Sequence, residues 1–301
     1  MPASELGLEN PPPRPLLVRM RALLPELRPS ERRIAELFLA DPIEAAELSI
    51  ASLAARCDTS TTSVIRFSKR LGYEHLKGLR MDVLRDVARE SFETAALPEV
   101  SGDIDRDDSL TDIVAKVSLA ETLSIADTAK MLDIDSLRAA VETVVRANRV
   151  DIFGVGASSF VGLDLQQKLT RIGRTALNWS DSHAAWTSAA TLRPGAVAIA
   201  VSHSGMTVDT VEFLAIAHAA GAATIAITNH EHSPLAGRAD VVLTTAARET
   251  GFRSGALGSR IAQLMIVDCV FIGVAQANYD DSMSAIRNTY AAVHHLRVNG
   301  T

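Results

Sequence analysis

From Arg149 onward the chain alternates at regular intervals between short β-rich runs and helical stretches. The β-rich runs lie at 150–153, 175–178, 196–201, 224–228 and 241–243. Helical segments lie between them at 159–172, 182–191, 207–220 and 233–237, with a long one at 256–277 and a final one at 282–297. A tight turn can join two antiparallel strands, but parallel strands need a crossover, usually a helix. Strands regularly separated by helices therefore predict a parallel sheet with helices on both faces, a three-layer α/β domain.

Residues 16–91 carry a different pattern, helical throughout. Ser30 is placed to cap a helix reaching Ala40 with Ile34, Leu37 and Phe38 on its apolar stripe. Asp41-Pro42-Ile43-Glu44 restarts a helix, with Asp41 as cap, Pro42 in the first turn and Glu44 closing a capping box. Ser49 caps a short helix at 50–56, and the turn Cys57-Asp58-Thr59 leads to Ser60, which caps another helix reaching Leu71. Gly72 suits a left-handed helix end, and a longer helix follows at 75–90. Residues 93–108 read as a linker. An amphipathic helix at 109–131, carrying Ile113, Val117, Ala120, Leu123 and Ile125, is expected between domains or against a partner chain. Asp135 is the expected cap of the next helix, which ends near Asn148. The resulting organisation is multidomain: a disordered tail at 1–15, an all-α domain at 16–92, a linker and connecting helix at 93–133, the α/β domain at 134–285 and a terminal helix and tail at 286–301.

No uninterrupted apolar run approaches the roughly 18 residues of a membrane span. The proline-rich start carries no signal-peptide pattern, and two cysteines give no disulfide framework. These features predict a cytoplasmic protein with no membrane partner. The net charge of -6 is unevenly divided. Residues 1–92 hold 14 Lys/Arg against 13 Asp/Glu, and residues 93–301 hold 16 against 23. Within 56–89 eight basic residues face four acidic ones, a local balance of +4 compatible with a nucleic-acid contact.

The segment 49–73 joins two short helices by a three-residue turn, a helix-turn-helix pattern. Leu53, Ala54, Val64, Ile65 and Phe67 are expected to fill the space between them. The other face of the second helix, with its cap, then presents Ser60, Thr61, Thr62, Ser63, Arg66, Lys69 and Arg70. Small hydroxyl residues at its start suit entry into the major groove of double-stranded DNA, and a helical hairpin with a solvated basic face is the plainer alternative.

Two strand-to-helix loops stand out in the α/β half: Gly154-Val155-Gly156-Ala157-Ser158-Ser159 and Ser202-His203-Ser204-Gly205-Met206-Thr207. Hydroxyls and amides at a helix N-terminus suit a phosphate monoester, and glycine lets backbone approach it. A dinucleotide site competes, since Gly154-x-Gly156-x-x-Ser159 partly matches that fingerprint, but the third glycine is missing. Ser202 and Ser204 have a plainer use as helix caps, and His203 as a packed loop histidine. Asp181 and His183 line a pocket or cap the next helix, and Trp179 and Trp186 read as packing. The histidine pairs His230/His232 and His294/His295 lack a third ligand at metal-binding spacing, so no metal and no cofactor is expected.

The run Thr62-Ser63-Val64-Ile65-Arg66-Phe67-Ser68-Lys69-Arg70-Leu71-Gly72-Tyr73, with Ser30-Glu31-Arg32-Arg33-Ile34-Ala35 and Asp41-Pro42 upstream, resembles the DNA-binding domain of the RpiR family of bacterial regulators. That family often has a proline where this chain has Thr61. The stretches 154–158, 202–205, 227–229, 233–235 and 259–264 are similar to the sugar isomerase (SIS) domain that completes those regulators, a likeness that implies a flavodoxin-like three-layer fold. The resemblance covers 16–280 and implies a transcription regulator of carbohydrate metabolism, a homodimer or homotetramer, whose operator binding responds to a phosphorylated sugar. It places the phosphate on Ser202, Ser204 and Thr207, with Gly205 and Gly156 giving room, Ser158 and Ser159 on the other side, His203 in the same loop and Glu249 accepting from sugar hydroxyls. The alternative it leaves is a SIS-domain isomerase, with Glu249 and His203 as nominees for acid–base work.

Overall fold

A computed structural model describes residues 15–94, 105–248 and 256–294, without the side chains of 88–94. The chain separates into two compact units on either side of Pro98 and Glu99.

The first unit is built from α1 (Leu16–Leu23), a single 3₁₀ turn (Leu24–Glu26), α2 (Pro29–Ala40), α3 (Pro42–Glu47), α4 (Ile50–Arg56), α5 (Thr61–Arg70) and α6 (Leu76–Thr94). Met20, Ile34, Phe38, Leu53, Val64, Phe67, Leu71 and Leu79 form its core. The rings of Phe38 and Phe67 stack with centroids 6.3 Å apart, locking α2 onto α5. Local chemistry sets most boundaries as the sequence predicts. The side chains of Asp41, Ser49 and Ser60 accept from the amides of Glu44, Ser52 and Ser63, and Gly72 ends α5 at φ +89°. Three expectations fail. Pro29, already pre-set for helical φ, starts α2, so Arg28 rather than Ser30 is the cap, its amide donating to Glu31. The Asp41 amide is committed to Leu37 O, so Glu44 closes no capping box and pairs with Arg56. Ile65, expected in the core, is 45% exposed.

The second unit opens with α7 (Leu110–Met131) and α8 (Ile134–Arg146), then alternates β1 (Arg149–Gly154), α9 (Ala157–Arg171), β2 (Ala176–Trp179), α10 (Ser182–Ala189), β3 (Ala196–Val201), α11 (Val208–Ala219), β4 (Ala223–Thr228) and β5 (Val241–Thr244), closing with α12 (Leu257–Ala277) and α13 (Tyr279–His294). The five strands are all parallel in the order β2-β1-β3-β4-β5. The pleat sends alternate residues of β3 to opposite cores. Val197, Ile199 and Val201 pack with residues of α8, α9 and α12, whereas Ala196, Ala198 and Ala200 pack with residues of α10 and α11. The segment expected as a helix at 233–237 is a 3₁₀ turn at Ala236–Arg238. Asp133, not Asp135, caps α8, accepting from the Ser136 amide at 2.7 Å, while Asp135 pairs with Arg138.

Helix α7 belongs to this second unit, where it packs on α12. Its buried face is largely polar, with Lys116, Ser124, Asp127 and Thr128, and the expected stripe residue Ile125 is exposed. By length and composition α12 would pass for a membrane span, at mean hydropathy 1.6. Its apolar residues Ile266, Val267, Val270 and Val274 are instead buried in the core.

Candidate functional site

In the first unit the helix-turn-helix is braced from outside the motif. Arg33 of α2 donates to the carbonyls of Cys57 at 2.7 Å and Asp58 at 2.6 Å, holding the turn, in which Asp58 sits at φ +45°. On α5, Thr61, Thr62, Arg66, Lys69 and Arg70 are exposed, as is the cap Ser60. Ser63, expected on the same face, is 7% exposed and lies within 3.1 Å of Ser60 Oγ, because the cap geometry turns it inward. Arg66 and Arg70 converge on Glu31 of α2, whose side chain is only 2% exposed. The nearest approach of Arg66 is Nε to Oε1 at 2.9 Å, and Arg70 lies 3.7 Å away. Arg70 also donates to Glu26 O at 3.0 Å. The basic face is thus partly tied to its own domain, a pairing across 35 residues that periodicity cannot reveal. Lys69 makes no ion pair among the described residues.

In the second unit the connections leaving β1 and β3 run to opposite sides, so a crevice opens between the carboxyl ends of these neighbouring strands, the usual ligand position in such sheets. The two glycine- and serine-containing loops stand there. Gly156 adopts φ +61°, ψ −128°, a conformation essentially confined to glycine, and Gly205 adopts φ +63°. A Cβ on Gly205 would collide with the side chain of Ser233. No side chain caps α9 or α11, whereas α10 of the same sheet is capped by Asp181, accepting from the Ala184 amide at 2.9 Å. The helix starts at the crevice are therefore left without a side-chain acceptor, an arrangement suited to an anion.

The hydroxyls differ in their commitments. Ser204 and Thr207 are half-buried; Ser204 Oγ accepts from the Met206 amide at 3.2 Å, and Ser202, buried, lies 3.2 Å from Thr207 Oγ1. Ser159 Oγ donates to Gly156 O at 2.7 Å. Ser158 is buried and donates to Gln263 Oε1 of α12 at 3.2 Å. The other terminal atom of that amide, Gln263 Nε2, is buried with no hydrogen-bond partner among the described residues. Gln263 is the site candidate the sequence reading left without a role; a glutamine inside an otherwise apolar helical run was the signal. His203 meets His230 edge-on at 5.9 Å and its carbonyl accepts from the Asn229 amide, so this residue packs the loop against the end of β4. Trp179 and Trp186 donate to Asp151 and to Asp209 O, within the packing of the sheet. Glu249 and the stretch 249–255 lie outside the described residues, as do the N-terminal tail to residue 14 and the linker at 95–104.

The stretch immediately before Glu249 is gripped by α7. Thr128 Oγ1 and Ser124 Oγ accept from the amides of Ala246 and Arg248, both at 3.0 Å, and Arg248 Nε donates to Asp127 at 2.7 Å. Among the described residues no cluster of three His, Cys, Asp or Glu is able to hold a metal ion.

Comparison with known proteins agrees with this architecture. A model of the rpiR-family helix-turn-helix domain matches residues 15–90, and a SIS-domain model matches 143–273. An uncharacterized HTH-type transcriptional regulator of Caldanaerobacter subterraneus is 34% identical over 284 residues, covering 94% of this chain and 99% of its own length. Among solved structures, the Vibrio vulnificus NanR protein complexed with ManNAc-6P is 29% identical with a TM-score of 0.60, covering 94% of this chain and 100% of that one. The sugar isomerase domain of an RpiR transcription factor from Sphaerobacter thermophilus is 28% identical with a TM-score of 0.53, covering 59% of this chain and 97% of that one. The chain belongs to the RpiR family of helix-turn-helix transcription regulators, with a SIS domain as its second unit.

Proposed function

We propose that a phosphorylated sugar, bound at the crevice between β1 and β3, sets the affinity of α5 for an operator in double-stranded DNA. The observation that carries the ligand reading is the pair of uncapped helices, α9 and α11, opening beside glycines at positive φ and the hydroxyls of Ser204, Thr207 and Ser159. The NanR structure with ManNAc-6P supports it from a relative of nearly full length. Ser204 and Thr207 would meet the phosphate, Gly156 and Gly205 let it approach backbone, and Glu249 would accept from sugar hydroxyls. Ser158 and Ser202, more deeply placed, shape the loops. The protein acts in the cytoplasm as a homo-oligomer, since paired half-sites are read by two-fold symmetric regulators.

Regulation follows by linkage: whatever factor the ligand applies to DNA affinity, DNA applies to ligand affinity. Helix α7 is the transmitter in this reading. It is joined through the 95–104 segment to the DNA-binding unit, and it holds residues 246–248 directly ahead of Glu249. An isomerase is disfavoured because the relatives are named regulators and His203 is engaged in packing.

The test is a thermal-shift screen of sugar phosphates, ManNAc-6P among them, each beside its unphosphorylated sugar. At about a hundred times Kd a ligand stabilises by roughly 2.7 kcal/mol, a readable shift. Only phosphorylated compounds are expected to shift the protein, and Ser204→Ala is expected to abolish the shift while operator binding persists. Equal shifts with the free sugars, or a full response in Ser204→Ala, would remove the phosphate cradle.

A further inference from the structure

Helix α5 presents two exposed rows with different commitments. Thr62, Arg66 and Arg70, spaced by four, run along one edge, where Glu31 and the Glu26 carbonyl of the first unit receive both guanidinium groups. Thr61, Ile65 and Lys69 form the neighbouring row, and their side chains make no hydrogen bond or ion pair among the described residues. Ile65 is the centre of this free row. Val64, Phe67 and Leu71 fill the apolar side of the helix, and Ile65, 45% exposed, stands outside it. A β-branched residue is also a weak choice for an exposed helix position on propensity alone.

A lone exposed aliphatic side chain is ordinary on a protein surface. Here its neighbours are two small hydroxyl residues one turn before it and a free lysine one turn after. It is also the fifth residue of the helix, within the half that approaches base edges in a helix-turn-helix. The major groove offers one apolar group, the C5 methyl of thymine, which selects apolar side chains. Isoleucine has a stiff χ1, so fixing it against a methyl group sacrifices little rotamer freedom. We propose that Ile65 is a specificity residue that reads a thymine methyl in the operator. The inference rests on α5 being the recognition helix.

The experiment starts from an operator selected out of random duplexes by the full-length wild-type protein. Each thymine is then replaced singly by deoxyuridine, which removes the methyl and keeps every hydrogen-bonding group. For wild-type protein, one or two positions per half-site are expected to lose roughly fourfold in affinity, the worth of about one buried methyl-sized group. Ile65→Ala and Ile65→Thr should bind the thymine operator more weakly and suffer a smaller loss than wild type on uridine replacement at those positions, because each keeps only part of the apolar contact. Unchanged uridine sensitivity in both variants overturns the proposal, as does a wild-type protein insensitive at every thymine. Lys69→Ala separates this failure from a deeper one. If Lys69→Ala loses affinity while the uridine pattern ignores Ile65, only the Ile65 inference falls. If Lys69→Ala, Ile65→Ala and Ile65→Thr all bind like wild type, the recognition-helix reading falls with it.

Discussion

Removing Arg66 is expected to weaken the first unit as well as its grip on DNA, and the size of that effect follows from Glu31. The Glu31 carboxylate is 2% exposed and receives the Arg28 amide at 3.3 Å, Arg66 Nε at 2.9 Å and, more distantly, Arg70 at 3.7 Å. A fully exposed ion pair contributes about 0–1 kcal/mol, whereas breaking a fully buried one costs about 3–5 kcal/mol. Arg66 is 45% exposed, so solvent already offsets part of its charge. The loss therefore falls in the range of a hydrogen bond to a charged group, about 1.5–3 kcal/mol. Intrinsic tryptophan fluorescence will not see it, because Trp179 and Trp186 are the only tryptophans and both lie in the second unit. Amide hydrogen exchange resolved by peptide is the suitable assay. At about 1.4 kcal/mol per tenfold, Arg66→Ala should speed exchange in 29–40 and 61–70 by roughly ten- to hundredfold. Lys69→Ala, which breaks no side-chain hydrogen bond or ion pair among the described residues, should leave both segments unchanged while lowering operator affinity. Exchange within twofold of wild type in Arg66→Ala would show that Glu31 does not depend on its arginine partner.

Gly205→Ala should eliminate the response to any phosphorylated sugar, since it imposes a Cβ at φ +63° and against Ser233; the thermal-shift screen checks this, and a retained response would refute it. Asp127→Asn should keep ligand stabilisation but reduce the ligand's effect on operator affinity, because Arg248 loses its charged partner on α7; unchanged coupling would remove α7 from the route. Burial and the hydrogen bond to Asp82 push the Tyr73 phenol from 10.0 up to about 12. The folded pKa is raised, so this contribution to stability is intact below pH 10 and disappears as pH rises from about 10 to about 12. An absorbance titration should show a late phenol ionisation near pH 12, and Tyr73→Phe should abolish that phase. A late phase that persists in Tyr73→Phe, or its absence in the wild type, would contradict the raised pKa of Tyr73.

Much of the architecture is written in short-range chemistry. Strand and helix alternation after Arg149, the caps Asp41, Ser49 and Ser60, and Gly72 at a left-handed position all depend on residues within one or two turns of each other, so a linear reading reaches them. The two glycine- and serine-containing loops were legible for the same reason, since a strand-loop-helix unit brings its own amides and hydroxyls together. What the tertiary structure alone decided are partnerships across long stretches of chain: Glu31 with Arg66 and Arg70, Ser158 with Gln263, and α7 with residues 246–248. The outward turn of Ile65 and the inward turn of Ser63 belong with them. Periodicity places a residue on a helix, but which flank of that helix meets water depends on where a separate helix docks. An amphipathic pattern likewise cannot reveal that the polar face of α7 is the buried one, because hydrogen-bonding partners more than a hundred residues away make that burial favourable.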